Sequence, residues 1–395
     1  MNNEFIPVIL GIDVGAYSVA RTIYEHYKIK SIIIGKYNYW MTKYSKITDV
    51  LTINNMTEDK LIDFLVELKG KYQDKKLLLF GCSEDYVEII IRNKDILDKY
   101  YVVPTIDYDT LVKVSSKEGF YDICEKVGIN YPKTIVVNKD NYVNTEIKFK
   151  CPFIAKVSNK AMYQRIKFEG KEKVFLFKSI DEYKKMMNVL FDSGYNDTVV
   201  VQEYINGTDA NMRVLTCFAD KDSNVIFSSV GKVLLEEKGP DVTGNYSAII
   251  NTQDDKIVEA AKKFIKETKY VGYANFDIKY DDDTKEFYFF EVNVRLGRSN
   301  FYMGAGNTNY LEPLVDTFIY DIHDKSYKQE GCSLYSIVPF MVIKKYCKDK
   351  DLVKEAKKLK KNNPLDYNKD FSLKRKYYII GALINHIRKF RKYYE

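Results

Sequence analysis

The sequence is poor in histidine and in closely spaced cysteine, and each shortage argues against a class of chemistry. Its 395 residues hold three histidines, the well-separated His26, His323 and His386, so neither a Ser-His-Asp triad nor a histidine-rich zinc site is expected. The six cysteines are scattered without a C-x-x-C pair, which is typical of reduced thiols rather than of a disulfide framework. Any catalysis is therefore expected to proceed without imidazole.

Long hydrophobic runs are missing as well. No segment approaches the roughly 18 apolar residues needed to span a bilayer. The first residues, MNNEFIPVILGID, lack the basic and apolar regions of a signal peptide. A hydrophobic fraction of 46% with 30% charged residues is ordinary for a globular protein, and the length allows two or three domains. We therefore expect a cytoplasmic protein.

The net positive charge is concentrated at the C-terminus, and the rest of the chain is nearly neutral. The formal net charge is +7, and residues 371–395 alone hold seven Lys and Arg against one Glu. A uniformly basic surface for nucleic acid is therefore not expected. The pattern predicts a basic, helical C-terminal extension over residues 331–395. Its last part, YYIIGALINHIRKFRKYYE, is consistent with a packed or solvated helix and also with peripheral contact with an anionic membrane surface.

The most informative stretch is residues 270–300, which predicts two strands joined by a charged turn. Side chains alternate between the faces of a strand, so Glu291, Asn293 and Arg295 share one face of the second strand. Asp277 lies on the first strand, between the apolar residues Phe276 and Ile278. The hairpin therefore offers two carboxylates, an amide oxygen and a guanidinium for one common surface.

The turn decides whether those side chains meet. If it pairs Tyr280 with Glu286, Asp277 lies roughly 7–8 Å from Glu291. Two carboxylates and an amide oxygen are hard ligands that suit Mg²⁺, which completes its shell with water and substrate phosphates. A solvated polar face is the competing interpretation, but the FFEVNVR run is too apolar for a surface strand. The hairpin thus predicts a magnesium site.

This hairpin resembles the metal-binding strands of the ATP-grasp ligases, which carry an acidic residue on one strand and E-x-N-x-R on the next. The stretch FEVNVRLGRSNFYMGAG is similar to the corresponding part of the D-aspartate ligase branch. The resemblance implies an α/β fold, α+β in its C-terminal part. Its predicted parts are an N-terminal Rossmann-like subdomain (1–107), a small lid subdomain (108–205), a large subdomain with the metal site (206–330) and the C-terminal extension (331–395).

Further family motifs follow one another in order between residues 5 and 325. For ATP, the resemblance assigns Lys117 and Lys156 to phosphate, the hinge residues Glu203, Tyr204 and Ile205 to adenine, and Asp209 to ribose. It assigns Asp277, Glu291 and Asn293 to Mg²⁺, and Arg213, Lys232 and Arg295 to the phosphate-transfer centre. The amino-acid carboxylate is assigned to Arg298, Ser299 and Asn300. From the residues alone, Lys232 is also consistent with a solvated lysine, and the hinge with a core strand. The family's usual Gly-rich loop is absent after Lys156, where the tract 158–179 predicts a lid with Gly170 as its single glycine.

The resemblance also implies a reaction. A carboxylate, that of D-aspartate in this branch, attacks ATP to give an acyl phosphate and ADP, and an amine of a peptidoglycan precursor peptide then displaces phosphate. The amine acceptor could be a nucleotide-linked muramyl peptide. Two alternatives stay open: an amide ligase with another amino-acid donor and a non-wall acceptor, and a nucleotide-binding module without turnover. The sequence leaves the donor, its stereochemistry, the acceptor and the oligomeric state open.

Overall fold

The computed structural model describes residues 4–172, 174–238, 242 and 244–394. The chain divides into two compact units. The first comprises Met1–Ile129, Thr208–Lys279 and Phe290–Glu395, and the second comprises Asn130–Gly207 and Tyr280–Phe289. The four-part division expected from the sequence stays a prediction.

The N-terminal part of the first unit is a parallel sheet with helical connections. Its strands are continuous apolar runs, as expected when both faces of a parallel sheet are covered. They are ordered β3-β2-β1-β4. The elements are β1 (Phe5–Leu10), α1 (Val14–Tyr27), β2 (Ser31–Gly35), α2 (Trp40–Lys43), β3 (Thr48–Thr52), α3 (Glu58–Gly70), β4 (Lys76–Gly81), α4 (Glu84–Arg92) and α5 (Lys94–Leu97).

The periodicity of residues 7–36 predicts a strand, a helix and a second strand, and the structure contains them as β1, α1 and β2. The sequence also predicts a helix over residues 84–98 and a short strand over 101–103, and the structure corrects both. The helix expected over residues 84–98 is interrupted at Asn93, whose side-chain amide bonds Ile89 C=O and the Glu58 carboxylate. The strand expected over residues 101–103 is a single bridge between Val102 and Leu78. Strand β3 was not anticipated, because its half-exposed TDVLT sequence carries little apolar signal.

Two consecutive helices, α6 (Tyr108–Ser115) and α7 (Lys117–Val127), follow in the first unit. The Ser116 hydroxyl caps α7 by accepting a hydrogen bond from Gly119 N–H. The helix ends at Gly128, whose φ of 74° lies in the left-handed region that glycine tolerates. The sequence predicts Ser115 or Ser116 as the cap of this helix and Gly128 as its end. The structure shows Ser116 as the cap and confirms Gly128 as the end, and Lys117 is the first helical residue.

The second unit is an antiparallel sheet packed on one long helix. Phenylalanine and tyrosine side chains of β6, β7 and α9 form its core, with Phe153 and Tyr183 among the fully buried residues. The strands are ordered β5-β8-β6-β7. The elements are β5 (Thr134–Val137), β6 (Phe153–Val157), α8 (Lys160–Arg165), β7 (Phe175–Phe177), α9 (Ile180–Asp192) and β8 (Val199–Glu203).

A seven-stranded mixed sheet dominates the rest of the chain, in the order β13-β12-β9-β10-β11-β14-β15. The strands and helices are β9 (Met212–Ala219), β10 (Val225–Glu236), β11 (Tyr246–Thr252), α10 (Asp255–Glu267), β12 (Gly272–Tyr280), β13 (Phe287–Asn293), α11 (Glu312–Val315), β14 (Leu334–Ser336), α12 (Phe340–Tyr346), α13 (Lys350–Lys358), β15 (Lys361–Asn362) and α14 (Leu373–Tyr394). Short 3₁₀ segments cover Asp209–Asn211, Asn300–Asn307 and Asn368–Asp370, and a π-helical turn covers Asp316–Tyr320.

The C-terminal segment differs from the wholly helical extension expected from the sequence. Its first part supplies β14 and β15 to the large sheet, and only α14 is the long basic helix. Strands of three and two residues are too short to show alternation, which is why the sequence did not reveal them. Within the described ranges, no helix has the length and apolarity to cross a membrane.

Candidate active site

The turn between β12 and β13 is closed by backbone hydrogen bonds at its charged residues. Asp281 N–H donates to Glu286 C=O, and Lys285 N–H donates to Asp281 C=O, each over 2.9 Å. Lys285 has a φ of 61°, which places one residue of the turn in the left-handed region. The closing hydrogen bond therefore comes from Asp281, one residue later than the Tyr280 pairing considered from the sequence.

Asp277 lies at the centre of the candidate metal site. Its carboxylate accepts hydrogen bonds from the Tyr246 hydroxyl over 2.8 Å and from the Asn293 amide over 3.2 Å. Burial and the neighbouring Glu291 carboxylate raise the pKa of Asp277 to about 7. Because a cation favours the ionised form of such a group, the site offers an acidic pair suited to a divalent metal.

Glu291 projects from β13 toward the start of α7. Its carboxylate accepts a hydrogen bond from Lys117 Nζ over 2.8 Å, and the same ammonium donates to Phe290 C=O over 2.8 Å. Burial works against the charge of Lys117, but the Glu291 carboxylate outweighs it, so the pKa of this lysine is raised. The structure thus brings together Lys117 and Glu291, which lie far apart in sequence.

Two of the three cations predicted at the transfer centre are neighbours across the sheet. Lys232 on β10 pairs directly with Arg213 on β9. Arg213 Nη1 donates to the carbonyl oxygens of Ala210 and Met212 over 2.8 and 2.9 Å, and Lys232 Nζ lies 3.9 Å from the Asp349 carboxylate. Like charges directly opposite on a sheet repel each other, so this pair favours a nearby anion.

Arg295 follows β13 and contacts both a metal-site residue and an acidic residue of α4. Its Nη2 donates to Glu84 over 3.1 Å and lies 3.4 Å from the Asn293 side-chain oxygen. Within the part of the chain that the structure describes, its buried Nε has no hydrogen-bond partner. Buried donors are normally paired, so this N–H suits an acceptor such as a phosphate oxygen.

Asp209 opens the 3₁₀ turn before β9 and is already well coordinated. Its carboxylate accepts hydrogen bonds from Glu236 N–H (3.1 Å), Lys238 Nζ (3.0 Å) and the Tyr394 hydroxyl (2.7 Å). Burial opposes the ammonium of Lys238, but the carboxylates of Glu236 and Asp209 raise its pKa. The last turn of α14 therefore reaches the residue that the family resemblance assigns to ribose.

The three residues assigned to the amino-acid carboxylate have different surroundings. Arg298 Nη1 donates to Glu237 over 3.0 Å, and its Nε lies 3.7 Å from Asp13. The buried Ser299 precedes the 3₁₀ segment, and the Asn300 side chain is buried within the fold. Asn300 donates to Gly15 C=O over 3.2 Å and accepts from Tyr310 over 2.8 Å. Of the three, Arg298 is therefore best suited to receive an anion.

The remaining four predicted residues belong to the second unit. Lys156 lies in β6 between the buried Ala155 and Val157 and pairs with Val200 of β8. Glu203 ends β8, and its carboxylate accepts a hydrogen bond from Lys133 N–H over 3.2 Å. Tyr204 and Ile205 follow it, the latter buried. The expected apolar strand is present as β8, and the three residues assigned to the hinge lie at its end and directly after it.

Four neighbours of the predicted residues were missed by the sequence reasoning. They are Tyr246 beside Asp277, Glu237 beside Arg298, and Lys238 and Tyr394 beside Asp209. The run LLEEK carried a partial signal, since Glu236 and Lys238 lie at alternate positions that continue the face of Lys232. Tyr246 and Tyr394 carried none, because only the fold brings them close.

The donor set fits a magnesium ion held partly by substrate. Among the described residues, no three His, Cys, Asp or Glu side chains cluster as a complete metal cage. Asp277 and Glu291 provide two carboxylates, and Asn293 adds an amide that contacts Asp277. Such an incomplete set is typical of Mg²⁺ sites in which phosphates and water supply the other ligands.

Comparisons with known proteins identify the family of this chain. Residues 114–299 match the ATP-grasp domain family. The chain is 32% identical over 410 residues to the D-aspartate ligase of Enterococcus faecium, covering 100% of this chain and 97% of that protein.

Solved structures show the same fold at low sequence identity. Phosphoribosylglycinamide synthetase from Anaerococcus prevotii superposes with a TM-score of 0.59 and 17% identity, covering 84% of this chain and 80% of that one. L-amino acid ligase from Bacillus licheniformis superposes with a TM-score of 0.56 and 12% identity, covering 81% and 75%. The full-length relative, the domain match and the shared fold lead to one conclusion: the chain belongs to the ATP-grasp carboxylate–amine ligases, enzymes that use ATP, and is similar to D-aspartate ligase along its whole length.

Proposed function

We propose that this ligase activates a carboxylate of D-aspartate with ATP and joins it to an amine of a peptidoglycan precursor peptide. The observation that carries the proposal is the 32% identity to D-aspartate ligase, which extends over the entire chain. An acceptor of this kind would be a nucleotide-linked muramyl peptide. We place the reaction in the cytoplasm, where ATP is available and where free cysteines such as those of this chain persist.

In this proposal, Asp277, Glu291 and Asn293 hold Mg²⁺, which would screen the charge of the ATP phosphates. The support lies in the pKa of Asp277, raised to about 7 by burial and by Glu291. A carboxyl pair in this state is stabilised by a divalent cation. Tyr246 orients Asp277 through its hydroxyl, which donates over 2.8 Å.

The cations of the first unit would offset the charge of the transferring phosphoryl group. Arg213 and Lys232 lie side by side across β9 and β10, and Arg295 holds a buried N–H for which no partner is found in the described ranges. Lys117 lies at the start of α7 beside Glu291. Phosphoryl transfer depends mainly on such positioning and electrostatic stabilisation. From the family resemblance, Lys156 contacts phosphate and Glu203, Tyr204 and Ile205 contact adenine.

The proposed chemistry needs no protein nucleophile. A carboxylate oxygen of the donor attacks the γ-phosphorus, the bond to the β-phosphate oxygen breaks, and an acyl phosphate and ADP result. The acceptor amine attacks the acyl carbon, phosphate leaves, and the amine gives up a proton to form the amide. Arg298, which faces Glu237 and Asp13, would bind the donor carboxylate that does not react. Water must be excluded because an acyl phosphate hydrolyses readily.

The first experiment measures Mg·ATP-dependent phosphate release across D- and L-amino acids, with and without a nucleotide-linked muramyl pentapeptide. We expect the fastest release with D-aspartate and the pentapeptide together. Release that peaks with another donor or acceptor would retain the ligase and refute the proposed substrates. Binding of Mg·ATP without release for any pair would favour a nucleotide-binding module instead.

A second experiment tests the metal site. Glu291→Ala should abolish ADP formation and leave the fold intact, because the Glu291 side chain is half exposed. The matched control is Glu259→Ala, which removes another exposed glutamate paired to a lysine, Lys262, on the surface of α10. Near-normal turnover of Glu291→Ala would refute the assignment of Glu291 to the metal.

A further inference from the structure

Helix α14 exposes a continuous apolar stripe. Leu373, Tyr377, Ile380 and Ile384 recur at steps of four and three residues and therefore lie along one side of the helix. Their exposed fractions are 80%, 75%, 47% and 46%. Of the 21 exposed large hydrophobic residues found within the described ranges, seven lie between Phe371 and Tyr393. Single exposed apolar residues are ordinary, but a contiguous patch marks a binding surface.

The helix is fixed by its other side and is not a detached tail. Arg375 is almost fully buried, with its Nε 3.3 Å from the Asp370 carboxylate and its guanidinium 4.1 Å above the Tyr17 ring. Near the end of α14, Phe390 is buried, and its ring lies 5.7 Å from the ring of Tyr346 in α12, measured between ring centres. The apolar stripe is therefore presented in a defined orientation.

Aromatic rings from α2 and the residues after it extend the stripe. The Tyr378 ring stacks on Trp40 at 5.9 Å and on Tyr44 at 5.4 Å, with interplanar angles of 12° and 19°. Trp40 is the single tryptophan of the sequence. Both Trp40 and Tyr44 are half-buried, and Tyr44 lines one surface groove together with Leu373, Tyr377 and Tyr378. We call the surface made of Trp40, Tyr44, Leu373, Tyr377, Tyr378, Ile380 and Ile384 the aromatic stripe.

The charges around the aromatic stripe have one sign. Residues 371–394 contain no Asp or Glu. Lys43 and Lys374 lie 5.6 and 5.8 Å from the centre of the Tyr44 ring. The exposed basic residues of the helix are Lys374, Lys376, Arg388, Arg391 and Lys392. In residues 36–46 and 371–394, the two segments that carry the stripe, every formally charged side chain is a lysine or an arginine. Such an apolar stripe complements a surface that is negative outside and apolar beneath.

We propose that the aromatic stripe docks this enzyme on an anionic phospholipid bilayer, with α14 lying in the plane of the interface. Tryptophan and tyrosine favour the headgroup region, leucine and isoleucine favour the acyl chains, and lysine and arginine favour anionic headgroups. A nucleic acid would satisfy the cations and rings but would leave Leu373, Ile380 and Ile384 in water. The bilayer is the occupant that satisfies all three kinds of side chain.

Vesicle binding of the full-length protein tests the proposal. We expect co-sedimentation with vesicles holding about 30% phosphatidylglycerol in phosphatidylcholine, and much weaker binding to pure phosphatidylcholine or at high salt. The fluorescence of Trp40 shows directly whether the aromatic stripe enters the bilayer. Its emission should shift to shorter wavelength on binding and should be quenched by brominated lipid. Protein that sediments with no response from Trp40 would refute this face, and so would equal binding to both vesicle types.

Variants distinguish binding through the aromatic stripe from nonspecific hydrophobic binding. Leu373→Ser with Ile384→Ser should weaken binding more than tenfold, because two exposed aliphatic side chains no longer enter the acyl region. The matched control is Ile96→Ser with Val112→Ser, exposed by 42% and 55% on α5 and α6, which should bind as the wild type does. Equal losses in the two pairs would refute the proposal.

The basic residues are tested in the same way. Lys374→Gln with Lys376→Gln should lower affinity for anionic vesicles by about fivefold for each charge removed. None of these substitutions lies in the proposed ligase site, so phosphate release in solution should stay unchanged. A failure of the membrane proposal, seen in vesicle binding, is therefore distinguishable from a failure of the ligase proposal, seen in phosphate release. Tighter binding to an RNA oligomer than to the vesicles, abolished by the same variants, would overturn the assignment to a bilayer.

Discussion

Replacing Asp277 by asparagine should stabilise the metal-free protein while it abolishes turnover. Burial and the Glu291 carboxylate raise the pKa of Asp277 from 3.8 to about 7, so ionising this carboxyl opposes folding. Asparagine is neutral at every pH and keeps the shape. The amide oxygen of asparagine can still accept the hydrogen bond that the Tyr246 hydroxyl donates to Asp277 over 2.8 Å in the wild type.

The size and pH dependence follow from that shift. About three pKa units at about 1.36 kcal/mol each give an upper limit of about 4 kcal/mol, and partial exposure of the residue reduces our expectation to about 2 kcal/mol. Because the pKa of Asp277 is higher in the folded than in the unfolded state, ionising this carboxyl lowers the free energy of unfolding. This loss of stability is absent below about pH 4, grows between pH 4 and 7, and is complete above pH 7. Asp277→Asn should therefore be more stable than the wild type at pH 8 and no more stable at pH 4.

Urea denaturation in EDTA, followed by the fluorescence of Trp40 in the first unit, measures this difference. The control is Asp282→Asn, the same substitution at an exposed position in the turn of the hairpin, which should change stability by less than about 0.5 kcal/mol. An Asp277→Asn protein that is less stable than the wild type at pH 8 would contradict the reasoning, as would a stability difference that does not vary with pH. Loss of Mg·ATP-dependent phosphate release in the same variant would confirm that the destabilising carboxyl serves function.

Three further predictions concern the C-terminal helix. Arg375→Met should destabilise the first unit by about 3–5 kcal/mol in urea denaturation, because it leaves the buried Asp370 carboxylate without its ion pair. Adding Asp370→Asn should restore much of the lost stability, and a double variant with no such recovery would argue against the ion pair. Tyr394→Phe should raise the KM for ATP several-fold at unchanged kcat, since it removes a hydroxyl that orients Asp209; an unchanged KM would argue against a ribose role for Asp209. Burial lowers the pKa of His386, so stability should be complete above about pH 6.5 and fall at lower pH, and thermal unfolding of His386→Asn should show a shallower fall than the wild type.

Strongly patterned segments were predicted well from the sequence. The strand–helix–strand unit at the N-terminus, helix α7 and the β12–β13 hairpin each combine periodicity with a cap or a turn, and the structure contains all three. The end of helix α7 was placed at Gly128 and its cap at Ser115 or Ser116, because such local signals need no tertiary contact. The family resemblance of the E-x-N-x-R motif added the fold.

The contacts of the candidate site could not be predicted in the same way. Tyr246 and Asp277 are 31 residues apart, Glu237 and Arg298 are 61 apart, and Tyr394 lies 185 residues beyond Asp209. No period or spacing links such positions, because only the folded sheet brings them together. The pKa of Asp277 is hidden for the same reason, since it depends on burial and on a carboxylate from another strand.

The buried cluster of Tyr17, Asp370 and Arg375 also bears on how the protein is made. The Tyr17 hydroxyl donates to the Asp370 carboxylate over 2.7 Å, although 353 residues separate them. During synthesis, the first helix therefore leaves the ribosome long before its partner exists, and the first unit completes its core only after residues 370–375 have been made. A chain truncated before Asp370 would leave this core open, so we expect proteases to remove such a product rather than to leave a shortened ligase.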